Sequence, residues 1–357
     1  MCGINGILSF HASAPPIDAG ELTRTRESMR SRGPDAAGTW ISPDVRVGLG
    51  HRRLSIIDLS ERANQPMVSR EGDLVLTFNG EIYNFGELRQ ELEREGEQFA
   101  TTSDTEVVLR MYRKWGEAML PRLRGMFALA IWDTRTSTLF LARDPYGIKP
   151  LYYANDGRTF RFASQVKAIL AGGAVSSSRD PAGVAGFLLR GHVQGPFTIY
   201  ESIRELPAGS SMVVTHDGPS EPRSYFSIAA VLGDAVRARH RYSEDERASV
   251  IANGLRESVR YHLVSDVPVG LFLSSGRDSS TITALGAETG IPLRTVTLRF
   301  EEYIGTPKDE APLAAIAAMH YGMTHSTYTL SRAAFHEELS RALEAMDQPS
   351  LDGINSY

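Results

Sequence analysis

The chain opens with Met1-Cys2-Gly3-Ile4-Asn5-Gly6-Ile7-Leu8, which places its single cysteine directly after a methionine. Removal of such a methionine is usual when the next residue is small, and it would leave a thiol and a free α-amine on Cys2. An α-amine has a pKa of roughly 7.7 to 8.0, so at neutral pH part of it is neutral and can accept the thiol proton. Cys2 is therefore a candidate nucleophile that carries its own base. The alternative is a small apolar residue that starts a strand.

Composition limits the class of protein. The 357 residues suggest about two domains at roughly 150 residues each. A net charge of -5 provides no global basic field, which disfavours nucleic acid and anionic membranes as partners. One cysteine excludes an internal disulfide framework and a zinc site of the CxxC type, and it fits a reducing compartment. Without a basic leader or a window of about 20 apolar residues, we expect a soluble, cytoplasmic protein.

The first 210 or so residues alternate short strands with a few helices. Apolar or alternating runs such as Leu74 to Phe78 and Met126 to Trp132 are separated by Gly, Asp and Asn turns. Helical spacing occurs at Glu21 to Arg32, Phe85 to Glu95 and Thr105 to Trp115. The pattern predicts a mixed fold with antiparallel sheets rather than a helical bundle.

Two capping boxes and a polar segment divide the chain. Ser103 with Glu106, and Ser243 with Glu246, have the spacing of a capping box at a helix start. Residues 217–242 are polar and rich in turn residues, and they end in a basic stretch. We therefore predict a first domain at 1–218, a linker at 219–242 and a second domain at 243–357.

The second domain alternates strands and helices. An apolar strand from Val267 to Leu273 runs into a Ser/Gly turn and a helix, and further strands are predicted at Arg294 to Phe300 and His325 to Leu330. A helix from Asp309 to Tyr321 lies between these two strands. This βαβαβ order predicts a parallel, doubly wound α/β sheet.

The turn after the first strand of this domain has the composition of an anion site. In Leu271-Phe272-Leu273-Ser274-Ser275-Gly276-Arg277-Asp278-Ser279-Ser280, a strand passes directly into a helix, so backbone N–H groups and the helix dipole converge. Serine hydroxyls add donors, and Asp278 could hold Mg²⁺ on a nucleotide. The Walker A pattern is absent, so this is not a P-loop. The alternative is an ordinary serine N-cap.

Six blocks follow one another in the first part of the chain. They are Met1-Cys2-Gly3-Ile4, Arg32-Gly33-Pro34-Asp35, Gly50-His51-Arg52-Arg53-Leu54-Ser55-Ile56-Ile57-Asp58, Phe78-Asn79-Gly80-Glu81-Ile82-Tyr83-Asn84, Ser103-Asp104-Thr105-Glu106 and Ala142-Arg143-Asp144-Pro145-Tyr146-Gly147-Ile148-Lys149-Pro150-Leu151-Tyr152-Tyr153. In this order they resemble the class II glutamine amidotransferase domain, over about residues 2 to 215. The resemblance implies an α+β N-terminal nucleophile hydrolase sandwich (αββα) that hydrolyses glutamine to glutamate and ammonia.

The resemblance also implies roles for single residues. Cys2 is the catalytic nucleophile, and Asn79 and Gly80 form the oxyanion hole. Arg53 holds the α-carboxylate of glutamine and Asp104 its α-ammonium, so the pair selects a free amino acid. Ile57, through its backbone, and Glu81 complete the glutamine site.

Other parts of these blocks receive no catalytic role. The turn chemistry and opposed charges of residues 32–35 and 143–149 indicate scaffolding around the site. Gln165 is a departure, because relatives usually have Glu there, and it bears on a contact near the domain interface.

The loop of the second domain resembles the SGGxDS loop of ATP pyrophosphatases, with Ser275 in place of the first loop glycine. Residues 265–270, 309–311 and 346–350 are similar to asparagine synthetases. The resemblance implies ATP and Mg²⁺ as cofactors, with Asp278 as the metal-binding residue. The implied ATP-binding residues are Phe272, Leu273, Ser274, Ser275, Gly276, Asp278, Ser279 and Leu298.

Both parts together resemble the glutamine-hydrolysing asparagine synthetase family. This implies glutamine and aspartate as substrates, with ammonia from Cys2 transferred to an aspartyl-adenylate. The alternatives are a related amidotransferase with another carboxylate acceptor, or a non-catalytic remnant, which the intact site residues disfavour. The second domain stops about 115 residues after Ser243. We therefore expect an incomplete synthetase domain and a product limited to glutaminase activity. The sequence does not decide whether the protein forms a homodimer.

Overall fold

The computed structural model describes residues 1–238 and 242–351 of the chain. These residues form two units. The first unit comprises Met1–Arg237 and the described residues from Met346 onward, and the second comprises the described residues of Ala238–Ala345.

The first unit consists mainly of strands. They are β1 (Gly3–Ser9), β2 (Ala36–Ile41), β3 (Val47–Arg53), β4 (Met67–Val68), β5 (Leu74–Ile82), β6 (Gly125–Asp133), β7 (Thr138–Arg143), β8 (Tyr152–Asn155), β9 (Thr159–Ala163), β10 (Arg204–Glu205), β11 (Ser210–Thr215), β12 (Gly218–Pro219) and β13 (Arg223–Ser224). Its helices are α1 (Ala19–Glu27), α2 (Phe85–Arg94), α3 (Asp104–Trp115), α4 (Val166–Ala171), α5 (Pro181–Arg190) and α6 (Ile228–Ala238), with 3₁₀ turns at Glu61–Ala63 and Gly116–Arg122.

Two antiparallel sheets pack face to face. One has the order β10-β8-β9-β1-β3-β2, and the other has the order β12-β11-β7-β6-β5-β4 with β13 beside β11. Side chains alternate across each strand, so Ala128 and Ala130 of β6 enter the core between the sheets. Phe127, Leu129 and Ile131 enter a second core on the outer face.

Helices cover both outer faces. Leu88 of α2 and Val107 of α3 pack on the sheet that contains β6. Leu22 of α1 and Ile169 of α4 pack on the sheet that contains β1. The first unit is therefore the predicted four-layer αββα sandwich. Because both faces of each sheet are covered, its strands are buried along most of their length.

The two predicted capping boxes have different outcomes. At α3 the Ser103 hydroxyl accepts a hydrogen bond from the Thr105 N–H. The Glu106 carboxylate instead accepts from the N–H groups of Ala100 and Thr101, so a box was the wrong prediction there. Glu106 is buried and holds the preceding turn rather than the cap.

The segment predicted as a linker, 219–242, contains regular structure. Strand β13 pairs with β11 at Ser210↔Ser224 and Ser211↔Arg223. Helix α6 follows, and none of its residues is buried.

The second unit contains α7 (Glu244–His262), β14 (Gly270–Phe272), α8 (Arg277–Glu288), β15 (Arg294–Phe300), a 3₁₀ turn at Glu301–Tyr303, α9 (Ala311–His320), β16 (Thr324–Leu330) and α10 (Arg332–Ala345). Its sheet has the order β14-β15-β16, and both pairs are parallel. The predicted βαβαβ unit is confirmed. At the start of α7 the capping box of Ser243 and Glu246 is present as predicted.

The first strand of this sheet is shorter than predicted. Its pairing begins at Gly270↔Arg294, so Val267 and Pro268 lie outside the ladder. Proline cannot donate a ladder hydrogen bond, which is consistent with that boundary. Among the described residues, no helix combines the length and the apolar character that a membrane crossing requires.

Candidate active site

A cavity of about 210 Å³ in the first unit brings together residues that are far apart in the sequence. Cys2 immediately precedes β1, Arg53 ends β3, Asn79 and Gly80 lie on β5, and Asp104 begins α3. All of the residues predicted for glutamine line this cavity. The lining is Met1, Cys2, Arg53, Leu54, Ile56, Ile57, Ala63, Gln65, Phe78, Asn79, Gly80, Glu81, Ser103, Asp104, Thr105, Met126 and Lys149.

The Cys2 thiol lies against the backbone of Leu54. The Leu54 N–H donates to Cys2 Sγ over 3.4 Å, and Sγ lies 3.6 Å from the Leu54 carbonyl oxygen. Burial raises the pKa of the Cys2 thiol above its usual value. Burial also lowers the pKa of the α-amine at Met1, so this amine is neutral over a wider pH range. Arg32 supports the segment, because its Nε donates to the Cys2 carbonyl oxygen over 3.0 Å.

The backbone of β5 leaves the N–H group of Gly80, a cavity-lining residue, outside the hydrogen bonds to β6. The Phe127 N–H of β6 donates to Asp144 Oδ2, and the Phe127 carbonyl accepts from the Asp144 N–H. Both bonds lie on the side away from β5, so the pair Gly80↔Phe127 is not hydrogen-bonded. The Gly80 N–H therefore points away from β6. The N–H groups of Phe78 and Ile82, two residues before and after it, point the same way. The Phe78 N–H donates to Gln65 Oε1 over 2.6 Å, and the Ile82 N–H donates to Asp104 Oδ2 over 3.0 Å.

The Asn79 side chain completes a pair of donors. It is 1% exposed, and among the described residues neither its Oδ1 nor its Nδ2 has a hydrogen-bond partner. A buried amide without partners is unfavourable unless a ligand satisfies it.

Glycine is required at position 80, because a Cβ there would lie 2.4 Å from the Met126 carbonyl oxygen. The geometry suits an oxyanion with two neutral donors.

Arg53 is held by the loop that follows it. Its Nη1 donates to the carbonyl of Ser60 and to Asn64 Oδ1, each at 2.9 Å. Its Nη2 donates to the carbonyls of Asp58 and, over 3.5 Å, Ile57. The guanidinium thus organises residues 57–64 around itself, and the long bond to Ile57 is the weakest of the set.

Asp104 is a buried carboxyl group, and the hydroxyls of Ser103 and Thr105 donate to its Oδ1 over 3.4 and 3.5 Å. It is 4% exposed, and its Oδ2 accepts from the Ile82 N–H. Burial is the main cause that raises the pKa of Asp104 to about 6, and Glu81 adds to the effect. Such a carboxylate is stabilised by an incoming cation, and an α-ammonium group is one.

Gln65 and Lys149 are two of the lining residues that were not predicted as site residues. Gln65 Oε1 accepts a hydrogen bond from the Phe78 N–H, and Gln65 Nε2 donates to Thr105 Oγ1 over 3.3 Å. Gln65 therefore joins β5 to the start of α3. Lys149 is 4% exposed and lies in the cavity, although its block was interpreted as scaffolding. No local pattern distinguishes Gln65, whereas Lys149 stood inside a block that the sequence had already singled out.

The predicted nucleotide loop lies between β14 and α8. The Ser279 hydroxyl lies 2.9 Å from the Ser274 hydroxyl and 3.1 Å from the Ser274 N–H. The Ser275 N–H donates to the carboxylate of Glu310 over 3.4 Å, so an anionic oxygen already occupies one loop donor. This N–H and the helix start fit a phosphate.

The other predicted ATP residues have mixed environments. Leu273 is 2% exposed, Leu298 is half-buried and Phe272 is 87% exposed. Asp278 is exposed in the first turn of α8. In the described part of the chain no group of three or more His, Cys, Asp or Glu side chains could hold a metal ion. Asp278 therefore fits Mg²⁺ only as one ligand beside phosphate oxygens.

The segment after α10 belongs to the first unit. The Asp347 carboxylate accepts from the N–H groups of Val166 and Lys167 at 2.8 and 3.1 Å, at the start of α4. Gln165, the departure noted in the sequence, is buried directly before this contact, and its Oε1 has no hydrogen-bond partner among the described residues. Burial raises the pKa of Asp347.

Comparisons with known proteins agree with this geometry. Residues 1–226 match the family model "Glutamine amidotransferase domain", and residues 251–356 match "Asparagine synthase". Asparagine synthetase [glutamine-hydrolyzing] 3 of Bacillus subtilis is 33% identical over 100% of this chain and 58% of its own length. A putative asparagine synthetase [glutamine-hydrolyzing] 2 of Methanocaldococcus jannaschii is 31% identical over 100% of this chain and 70% of its own.

A relative with a different name is also similar. Amidase chry2 of Gibberella zeae is 32% identical over 90% of this chain and 50% of its own length. The chain thus spans only 58% of the length of the Bacillus relative and half of the Gibberella one. By these matches over its whole length, the chain belongs to the family of glutamine-hydrolysing asparagine synthetases.

Proposed function

We propose that the first unit hydrolyses glutamine to glutamate and ammonia with Cys2 as the nucleophile. The observation that carries this proposal is the pair of unsatisfied donors, the Asn79 amide and the Gly80 N–H, in a cavity that also contains the Cys2 thiol. Arg53 and Asp104 provide opposite charges for the two ends of a free amino acid. A peptide lacks this zwitterion, so the pair selects free glutamine.

The steps follow from the groups in the cavity. The α-amine, on Cys2 once Met1 is removed, accepts the thiol proton, and Sγ attacks the amide carbon of the substrate. The resulting oxyanion accepts hydrogen bonds from the Asn79 amide and the Gly80 N–H. Collapse of this intermediate expels ammonia, which takes the proton from the amine, and leaves a γ-glutamyl thioester on Cys2. Water then hydrolyses the thioester to release glutamate.

Glutamate release from glutamine, measured with the full 357-residue chain, tests this half of the proposal. Release that disappears in Cys2→Ala and stays in Asn155→Ala, an exposed position at the end of β8, supports it. No release from the wild-type chain at millimolar glutamine contradicts it.

We further propose that the second unit supplies an ATP-binding loop for activation of a carboxylate, with aspartate as the acceptor. Bound ATP with Mg²⁺ would supply the phosphoanhydride that activates the carboxylate. The chain's own contribution is the Ser275 N–H, the linked hydroxyls of Ser274 and Ser279, and the Asp278 carboxylate. Asparagine and pyrophosphate, measured after incubation with glutamine, ATP and aspartate, test this half separately from glutamate release.

A second candidate is the same chemistry with another carboxylate acceptor. The relative named an amidase, at 32% identity over 90% of the chain, favours it. Replacing aspartate by other carboxylates in the pyrophosphate assay distinguishes the two. Release with aspartate supports the first candidate, and release only with another acceptor supports the second.

A further inference from the structure

Lys149 is an unusual residue for its position. The chain has four lysines, and its remaining basic side chains are arginines. Lys149 is 4% exposed, and within the described residues it forms no ion pair within 4 Å. A buried lysine without a charged partner is rare, because the ammonium group loses its hydration. Its side chain lies on the cavity that contains Cys2.

The neighbouring residues fix the turn that presents Lys149. Asp144 accepts four backbone N–H groups, with Oδ1 from Tyr146 and Ile148 and with Oδ2 from Phe127 and Lys149 itself. Its oxygens are thus engaged by backbone and not by the ammonium group.

Arg143 holds the same turn from the other side. Its Nε donates to the Lys149 carbonyl over 2.8 Å, and its Nη2 donates to the Gly147 carbonyl over 2.8 Å. Its Nη1 pairs with Glu205 at 2.6 Å. Arg143 and Asp144 therefore hold the backbone of residues 146–149, as the predicted scaffolding role requires, and this turn places Lys149 in the cavity.

The N-terminal amine and Lys149 both favour the Cys2 thiolate, which burial disfavours. The amine that serves as the base takes up and releases a proton during the reaction, so its charge is not fixed. Arg32 donates to the Cys2 carbonyl and also faces Asp347. Arg53 is bonded to its own loop.

The acidic groups that face this region act in the opposite sense. Asp104 and Glu81 line the cavity, and Asp104 disfavours a negative charge on Cys2. Glu81 and Asp144 face Lys149 and favour its charged form, while Arg32 and burial disfavour it. Lysine presents a compact charge, unlike the wide guanidinium fork.

We propose that Lys149 supplies a fixed positive charge that favours the thiolate of Cys2 when the thiol loses its proton in the glutamine cavity. It is a positioning residue that acts through Cys2, and this inference rests on the proposed role of Cys2 as nucleophile. Because Cys2 is the only cysteine, the state of its thiol can be measured without any turnover.

The test is the rate of Cys2 alkylation by iodoacetamide, followed by mass spectrometry from pH 5.5 to 10 in the full-length chain. In the wild type, burial raises the midpoint above the ordinary thiol value and Lys149 counteracts part of that rise. In Lys149→Met the midpoint should rise by about one pH unit, which makes alkylation at pH 7 roughly tenfold slower. Lys149→Arg, which keeps the charge, should restore part of this shift.

Lys114→Met is the matched control, because Lys114 is exposed at the end of α3 in the same unit. A midpoint in Lys149→Met equal to that in Lys114→Met would overturn the inference. A midpoint in Lys149→Arg equal to that in Lys149→Met would overturn it as well, because the arginine keeps the charge. Failure of glutamine hydrolysis with a normal alkylation shift would reject the proposed function but leave the role of Lys149 intact.

Discussion

The two units place their candidate sites in opposite environments. Every residue of β1 and β3 is buried, whereas on β16 only Leu330 is. Helices α7 and α10 contain no buried residue. The first site therefore acts through charges and donors shielded from water, where electrostatic effects are large. The second site is a loop at a helix start in which Ser275 and Asp278 are exposed and Ser274 and Ser279 half-buried, so water screens its contacts more strongly.

The largest expected effect is in the first unit. Cys2→Ala should reduce glutamate release from glutamine by at least about 10³-fold, because no other thiol exists to form the thioester. The melting temperature should change by no more than a few degrees, since the side chain fills little of the core. Mass spectrometry of active protein should show Cys2 as the first residue. A retained Met1 in fully active protein would contradict the role of the α-amine.

Asn79→Ala should lower kcat by about 10²- to 10³-fold, the usual effect of one oxyanion donor. The KM for glutamine should change little, because the amide acts on charge that develops only after attack. Steady-state kinetics measure both values, with Asn155→Ala as the control in the same unit. A large rise in KM with an unchanged kcat would show that Asn79 binds the ground state instead.

Asp104→Asn should raise the KM for glutamine by about 10- to 100-fold, because it leaves the substrate ammonium without a counter-charge. In the wild type, kcat/KM should fall as the pH drops through about 6, since protonation of Asp104 removes the charge that binds the substrate. The variant should lack this acidic limb. A wild-type profile that is flat between pH 5 and 7 would argue against an ionised Asp104 in binding.

The smallest expected effect is in the second unit. Ser274→Ala should weaken binding of ATP with Mg²⁺ by about 3- to 10-fold, because one neutral hydroxyl among exposed donors contributes about 1 kcal/mol. Titration calorimetry measures the change, and Ser326→Ala, an exposed position on β16, is the control. A loss of ATP affinity above about 100-fold would show that this loop is as shielded from water as the first site. The contrast between the two units would then be wrong.

Much of the architecture could be predicted because its signals are local. Strand alternation indicated the antiparallel sheets. The spacing of Ser243 and Glu246 indicated that α7 begins directly after the N-cap Ser243. The same spacing at Ser103 misled, because the Glu106 carboxylate is held by Ala100 and Thr101, a contact that depends on the path of the preceding loop. The glutamine-site residues themselves came from ordered sequence blocks rather than from periodicity.

The sequence by itself determined the candidate site residues that its ordered blocks contain and the order of strands and helices in the second unit, because both are encoded in short contiguous segments. The tertiary structure alone decided that the Gly80 N–H points away from β6, since this follows from how Phe127 bonds to Asp144. It also decided that Lys149 is buried in the wall of the cavity that contains Cys2, and that burial raises the pKa of Asp104 to about 6. Burial and the field of distant charges depend on packing between segments far apart in the chain, which no local pattern contains.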